Sequence, residues 1–247
     1  MSYVVITGAS SGIGYASAFA FAKRDKNLIL VARREQRLED LKSAISEINP
    51  SIDAVILTAD LSKREQVHDL YERTKGYELE AWINNAGFGD FAPIAEQDLS
   101  KVENMLLLNN VAPTILSSLF VRDYSSKEGT QLINVSSDGG YTVVDNFVTY
   151  CATKFFVSSF TEGLAHELRS KGEPMKAKVL APAVTETEFG YNAMGIEDLS
   201  KFAQTHTAEE VAQFMLDLYD SDKVVGLVDE TNQFHLKDPI HPYITKV

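Results

Sequence analysis

The stretch "TGASSGIG" (residues 7–14) decides how the rest of this chain is read. It follows the strand-like run "YVVIT" (3–7) and opens an amphipathic helix that extends to about Lys23. Glycines at 8, 12 and 14 let the backbone pass close to an anion. The helix behind them offers free N–H groups and a positive dipole end, a combination suited to a pyrophosphate. The spacing G-x-x-x-G-x-G is not the commoner G-x-G-x-x-G, so that fingerprint does not match by itself. A tight strand-to-helix turn that simply needs glycine is the plain alternative.

Outward from this turn, short apolar runs alternate with longer stretches of helical period. Strands are expected at "NLILVA" (27–32), "IDAVILTA" (52–59), "EAWINNA" (80–86), "TQLINVSS" (130–137), "AKVLAPA" (177–183) and, last, "KVVGLVD" (223–229). Charged helical segments such as "REQRLEDLKSAISEI" (34–48) and "SKREQVHDLYERTK" (62–75) separate them. Runs that are apolar throughout, rather than alternating, point to a sheet covered on both faces. Repeated strand–helix units then give a three-layer α/β fold, a doubly wound parallel sheet of about seven strands with helices on both faces. In such sheets the ligand lies beyond the carboxyl ends of the strands, where the glycine turn and each motif below fall.

Bulk properties narrow the class. The chain has 247 residues, 45% hydrophobic, enough for one sizeable core, and no repeat or linker-like run divides it. One domain, 1–247, is expected. No basic-then-apolar leader precedes the first strand, and no apolar run is seen to approach the roughly 18 residues of a membrane span. Cys151 is the single cysteine, so an intrachain disulfide and a cysteine metal cluster are excluded, in keeping with a reducing cytoplasm. A formal charge of −12 disfavours nucleic acid and acidic membranes as partners. The five histidines show no metal-ligand spacing, and His166–Glu167 lacks the second histidine of a metal motif. No metal is expected.

The second strand bears on the choice of dinucleotide. An NAD site places an acid there, about 20 residues on, for the ribose 2′-hydroxyl. This strand ends "VARR", with Ala32 where the acid would sit and Arg33 and Arg34 after it. A guanidinium suits a 2′-phosphate, with which it forms charge-assisted, often bidentate bonds. The alternative is an exposed cationic pair at a helix start, where it works against the dipole. NADP(H) is the expected cofactor, with Arg33 the favoured contact.

Taken together, these motifs resemble the short-chain dehydrogenase/reductase family. "TGASSGIG" is similar to that family's cofactor turn, with Gly8, Ser10, Ser11, Gly12, Ile13 and Gly14 lining the dinucleotide. "ADL" (59–61) resembles its adenine-side Asp60 and Leu61, and "NNAG" (84–87) supplies Asn85, Ala86 and Gly87. Asn110 in "NNVAP" stands where the family's helix-kinking asparagine is expected, with Asn109 one residue away. "INVSS" (133–137) and "YCATK" (150–154) complete the pattern, Ser137 lying thirteen residues before Tyr150. The similarity runs from residue 7 to about 187. It implies a Rossmann-type fold and NAD(P)-linked oxidoreduction of a carbonyl/alcohol pair. It further implies Asn110, Ser137, Tyr150 and Lys154 as the catalytic set. Pro182, Val184, Thr185 and Thr187 would stand on the nicotinamide side, with Tyr150 and Lys154 also contacting the cofactor. Two departures stand out: Ala183 replaces the usual glycine after the proline, and the closing "LVDETNQFHLKDP" lacks the usual Gly-Gly.

Carbonyl reduction needs an acid with a pKa near the working pH. A free phenol titrates about three units too high, a gap of roughly 4 kcal/mol. Lys154 at i+4 shares a helix face with Tyr150. Its ammonium, with the charge of an oxidised nicotinamide, supplies that stabilisation only if water is excluded. Taken alone, Tyr-x-x-x-Lys is ordinary helix decoration; with the other motifs it reads as proton donor and pKa modulator. On the family's pattern Ser137 orients the carbonyl, Lys154 also bonds the nicotinamide ribose, and Asn110 holds a water for proton relay. Loops 88–94 and 138–149 and a lid at about 188–204 should wall the substrate. Phe88, Phe91, Tyr141, Phe147, Phe189, Tyr191 and Met194 favour an apolar or aromatic carbonyl, or else simply pack these loops. The expected activity is that of an NADPH-dependent carbonyl reductase, reversible as an alcohol dehydrogenase. Its rivals are an NAD-preferring alcohol dehydrogenase and a catalytically silent NADP-binding sensor or scaffold. The resemblance implies a homo-oligomer, dimer or tetramer, and "DPIHPYITKV" (238–247) would either cross a partner subunit or fold on its own core.

Overall fold

The computed structural model describes residues 1–195 and 205–244, without the side chains of Asn192 and Met194. Strands β1 (Ser2–Thr7), β2 (Asn27–Ala32), β3 (Ala54–Thr58), β4 (Glu78–Asn84), β5 (Gln131–Val135) and β6 (Lys176–Ala181) pair in parallel. A short parallel pair, β7 (Thr185–Glu186) and β8 (His206–Thr207), stands apart from them. Strand β9 (Val225–Val228) joins β6 in parallel, and β10 (Phe234–Lys237) joins β9 antiparallel. The main sheet runs β10-β9-β6-β5-β4-β1-β2-β3. It therefore has eight strands, not seven, and its last is antiparallel. A turn of turn-forming chemistry makes the difference. The Asp229 carboxylate accepts the amides of Thr231 and Gln233, and Asn232 takes φ +60°, a left-handed setting that asparagine tolerates.

Helices α1 (Gly12–Ala22), α2 (Glu35–Ile48) and α8 (Ala208–Asp220) cover one face. Phe21, Leu38, Leu41, Val211 and Met215 pack there on Val4, Ile6 and Leu30 of the sheet. Helices α3 (Arg64–Thr74), α5 (Ala112–Tyr124) and α6 (Val148–Ser170) cover the other. Leu70, Tyr71, Leu116, Phe120 and Leu168 meet Val5, Trp82 and Val179 there. All six residues of β2 are buried, as coverage on both faces demands.

Helix α4 (Leu99–Leu106) runs into α5 through a widened π turn at Leu107–Val111. Pro113 has no N–H to give to the carbonyl four residues back, at Asn109, so the helix must widen there. The continuous run Leu99–Tyr124 is long and apolar enough, by length and composition, to cross a membrane. This corrects the expectation that no such segment exists. In this fold Met105, Ala112, Leu116 and Phe120 of that run are buried in the protein.

The described part of the C-terminal tail lies on the chain's own core. The buried Glu162 carboxylate on α6 accepts the backbone amides of Ile240 and His241, the His241 ring and the Tyr141 hydroxyl. Tyr243 stacks on His166 with ring centroids 4.2 Å apart. His166, set aside above as a fragment of a metal motif, is thus a stacking partner.

Candidate active site

The glycine turn is shaped by what presses against it. Gly8 and Gly12 have φ of +71° and +56°, which side chains with a Cβ rarely adopt. A Cβ on Gly14 would stand 2.5 Å from the Gly8 carbonyl oxygen and from the Asn85 amide nitrogen. Asn85 is itself tied back, its side chain donating to the Thr7 carbonyl at 2.8 Å and its amide to the Thr7 hydroxyl at 2.9 Å. Ala86 donates to the same hydroxyl. The "NNAG" stretch thereby locks the turn in place from β4. A Cβ on Gly12 would come within 3.1 Å of Thr187. The turn, "NNAG" and the segment after Pro182 therefore meet at the strand ends, although they are distant in sequence.

A cleft of about 610 Å³ opens along this line. Arg33, Arg34, Asp60 and Leu61 line one end, and Tyr150, Lys154, Ser137, Pro182 and Thr187 the other, with Gly8, Ser10, Ser11, Gly12, Ile13, Asn85, Ala86 and Gly87 between them. Val184 and Thr185 line it too, as does Ala183, which stands in for the usual glycine. Its position across the switch between β1 and β4, and a floor that Cβ atoms would fill, fit an extended dinucleotide. At the first end, burial pushes the Asp60 carboxyl up. Ser62, Arg33 and Lys63 outweigh that and hold it below its usual range. The Asp60 carboxylate is already bonded to the Ser62 hydroxyl and amide.

At the second end Tyr150 and Lys154 are each only 6% exposed. The Lys154 ammonium lies 5.7 Å from the centre of the Tyr150 ring and donates to the Val135 carbonyl at 3.0 Å. Burial alone pulls Lys154 down to about 8. Tyr150 moves the opposite way: burial pushes the phenol above its ordinary value, Ser137 beside it pulls down, and the Asp138 charge adds to the rise. The protein's own groups thus leave the phenol a weaker acid than in water. Desolvation, the condition set on the sequence for the lysine to act, acts first against the tyrosinate. Cys151, also buried, has its thiol pushed up by burial and donates its packing rather than a nucleophile.

Two asparagines set the register of α6. Asn110 donates to the Thr153 carbonyl at 2.8 Å. Asn109 donates to the Thr153 hydroxyl and the Phe88 carbonyl, and accepts the Phe88 amide. The π turn presents both, so the one-residue ambiguity resolves into two jobs on the same helix. Thr153 was not singled out on the sequence, and Asn109 was named only as the neighbour of Asn110; the signal was the Asn-Asn pair four and three residues before a proline. Ser137 faces the cleft and donates to Asp138 at 2.7 Å, while Ser136 is spent on the Lys154 carbonyl and on Ser158.

The aromatic wall is smaller than expected. Phe147 stacks on Tyr150 at 4.3 Å, Phe91 packs on Phe147 at 5.6 Å and Phe189 lies 5.5 Å from Tyr150. These three line the cleft with Val144. Tyr141 turns away to bond Glu162 at 2.6 Å. Phe88 and Tyr191 are absent from the lining, the first held by its backbone to Asn109. The Met194 side chain and the part of the proposed lid at 196–204 lie outside the described residues. The described part of that segment begins with α7 (Glu188–Met194), whose first residue reaches across the cleft to Arg34.

The family model for short-chain dehydrogenases matches residues 2–198. A very-long-chain 3-oxooacyl-CoA reductase from Caenorhabditis elegans is 28% identical over 193 residues, 76% of this chain but only 60% of that protein. The chain thus spans about three fifths of that curated relative's length. Among solved structures, a short-chain dehydrogenase from Sphingobium yanoikuyae in complex with NADPH superimposes with a TM-score of 0.84. It is 29% identical and the likeness covers 91% of this chain and 87% of that one. A bulky-bulky ketone specific alcohol dehydrogenase from Comamonas testosteroni follows, with a TM-score of 0.79 and 26% identity over 91% and 85% of the two chains.

Proposed function

This chain belongs to the short-chain dehydrogenase family, and from that premise we propose that it is an NADPH-dependent oxidoreductase that reduces a ketone or aldehyde to an alcohol, and reverses the reaction. The observation that carries the reading is the placement of a desolvated phenol and a desolvated ammonium together at the inner end of the cleft that the glycine turn begins. When bound, the dinucleotide supplies hydride for reduction and accepts it for oxidation. Tyr150 gives the proton to the developing alkoxide and takes it back in reverse. Ser137 steadies the carbonyl oxygen. Lys154, with N–H groups beyond the one given to Val135, would hold the nicotinamide ribose and counters the tyrosinate charge. Burial by itself raises the phenol, so the Lys154 charge has to offset that rise, and a bound oxidised dinucleotide would add a second positive charge. Asn110 holds the relay water at the widened turn.

NADP(H) is the cofactor that the residues and the relatives support. Arg33 lines the cleft's outer end near Asp60 and, among the described residues, makes no side-chain hydrogen bond or ion pair. It is the guanidinium available to a 2′-phosphate. The NADPH-bound likeness supports the same assignment. Phe91, Phe147 and Phe189 favour an apolar or aromatic carbonyl substrate, in line with the likeness to a bulky-bulky ketone specific enzyme. We read the chain as one domain, 1–247, with a lid over about 188–204, working in the cytoplasm as a homo-oligomer.

A panel of aryl ketones, aldehydes and diketones, followed by NADPH absorbance, tests the activity. Consumption of NADPH by at least one class is expected; silence across the panel with NADPH still bound would favour the sensor. Arg33→Ala should cut kcat/KM for NADPH by about 10- to 100-fold, the worth of a charge-assisted bond of about 1.5–3 kcal/mol, and leave NADH nearly unchanged. An NAD-preferring enzyme would show no such change.

A further inference from the structure

The arginines at the outer end of the cleft are not equivalent. Arg33 lines the cleft and, among the described residues, makes no side-chain hydrogen bond or ion pair, whereas all three side-chain nitrogens of Arg34 are engaged. Its Nε and Nη2 donate to the Ser10 hydroxyl at 3.2 and 3.0 Å, its Nη2 to the Ser11 hydroxyl at 2.8 Å, and its Nη1 to Glu188 at 2.9 Å. Arg37, in the first turn of α2, donates to the other Glu188 oxygen. Glu188 is the first residue of α7 and follows Thr187, which lies against Gly12. A carboxylate from the far side of the cleft therefore sits on the cations of the cofactor's adenosine end.

We propose that Glu188 is a specificity-determining residue, competing with the 2′-phosphate for Arg34 and so moderating the preference for NADPH over NADH. This rests on the NADP reading above. Ser10, Ser11 and Arg34 form the wall beside Arg33, so a dianion held by Arg33 comes up against donors already given to serines and to Glu188. It must then displace the carboxylate or bind next to a like charge, and either course weakens phosphate binding. Arg37 and Arg34 hold the Glu188 carboxyl below its usual range, so neutralisation by a proton gives no relief near neutral pH. A ribose 2′-hydroxyl carries no charge and meets none of this. The sequence shows a basic pair suited to phosphate but hides the acid, because Glu188 lies 154 residues from Arg34.

The test is titration of the full-length protein with NADPH and with NADH, for the wild type, Glu188→Gln and Glu188→Ala, with melting curves to confirm folding. Both variants should bind NADPH about three- to tenfold more tightly, as expected for removing one partly solvent-screened like charge. NADH affinity should stay within about twofold, and kcat/KM should move in the same ratio. A loss of NADPH affinity, or equal shifts for both cofactors, overturns the inference, since Glu188 would then be orienting Arg34 or holding the lid. An unchanged NADPH/NADH ratio in a wild type that prefers NADPH overturns it too and leaves the cofactor reading intact. A wild type without NADPH preference, insensitive to Arg33→Ala, removes the cofactor reading itself.

Discussion

Two lysines in this fold are buried and pulled down, chiefly by that burial, to about 8, yet their surroundings differ. Lys178 on β6 is 1% exposed, and its ammonium donates to the carbonyls of Leu218, Tyr219 and Ser221 at 2.7–2.9 Å. An ammonium has three N–H groups, so Lys178 is saturated. It closes the C-terminal end of α8, where unpaired carbonyls and the negative dipole end favour a cation. Lys154 on α6 gives one bond, to Val135, and lines the cleft. Burial does not separate a structural charge from a functional one here. Unfilled hydrogen-bonding capacity that opens on a cavity does.

The proposed chemistry offers the hardest test of that distinction. Tyr150→Phe removes one oxygen from a ring that Phe147 already stacks on, so the fold should survive. Turnover should fall by about 10³-fold or more, the worth of a positioned general acid, while NADPH binding stays nearly intact. Retained turnover would mean that the proton comes from elsewhere and that the Lys154 environment has no catalytic meaning. Lys154→Met should lower kcat by about 10²- to 10³-fold and change stability by less than about 1 kcal/mol, since one bond is lost while a buried charge is removed. Lys178→Met should do the reverse. The carbonyls of Tyr219 and Ser221 lose the ammonium, while Leu218 keeps the Ser221 amide and hydroxyl, a cost of about 2–3 kcal/mol or roughly 5–10 °C in Tm, with kcat per folded molecule unchanged. Should both variants fail alike in activity or in melting, hydrogen-bond saturation does not separate the two roles.

The same pair shows what the sequence could and could not reveal. Lys154 was legible because Tyr150, Ser137 and the glycine turn surround it with a pattern. Lys178 was not, since a lysine inside "AKVLAPA" looks like a strand residue facing water; its partners lie 40–43 residues away at a helix end. The parallel order of the sheet followed from apolar runs, which record local burial. The extra strand β10 did not, because "FHLK" is half exposed and its pairing depends on the Asp229–Asn232 turn. Tyr141 was misplaced in the substrate wall for a related reason. Its aromatic character was visible, but Glu162, the carboxylate it bonds, is on another element and holds the tail as well.

The smallest effect is the most discriminating, because both lysines enter it with the same starting value. In the unfolded chain a lysine titrates near 10.5; in the fold burial alone brings Lys154 to about 8, and burial with the Lys176 charge outweighs Asp222 and Asp220 and brings Lys178 to about 8. Between those values the unfolded chain binds more protons than the native one, so stability rises with pH. Above about 10 the trend reverses, because unfolded tyrosines ionise while Tyr71 and Tyr141, raised by burial and by Asp123 and Glu162 respectively, keep their protons. Urea unfolding from pH 8 to 9.5 at constant ionic strength should therefore show a gain of about 1–2 kcal/mol for each lysine that follows burial alone. Three carbonyl acceptors at the negative end of α8 favour the charged form of Lys178 and oppose that pull. Lys154, with one acceptor, has less to oppose it. Lys154→Met should flatten the rise, and Lys178→Met should leave most of it. Equal flattening by the two substitutions would mean that desolvation sets both pKa values whatever the number of bonds, and that the contrast between the lysines is one of position alone.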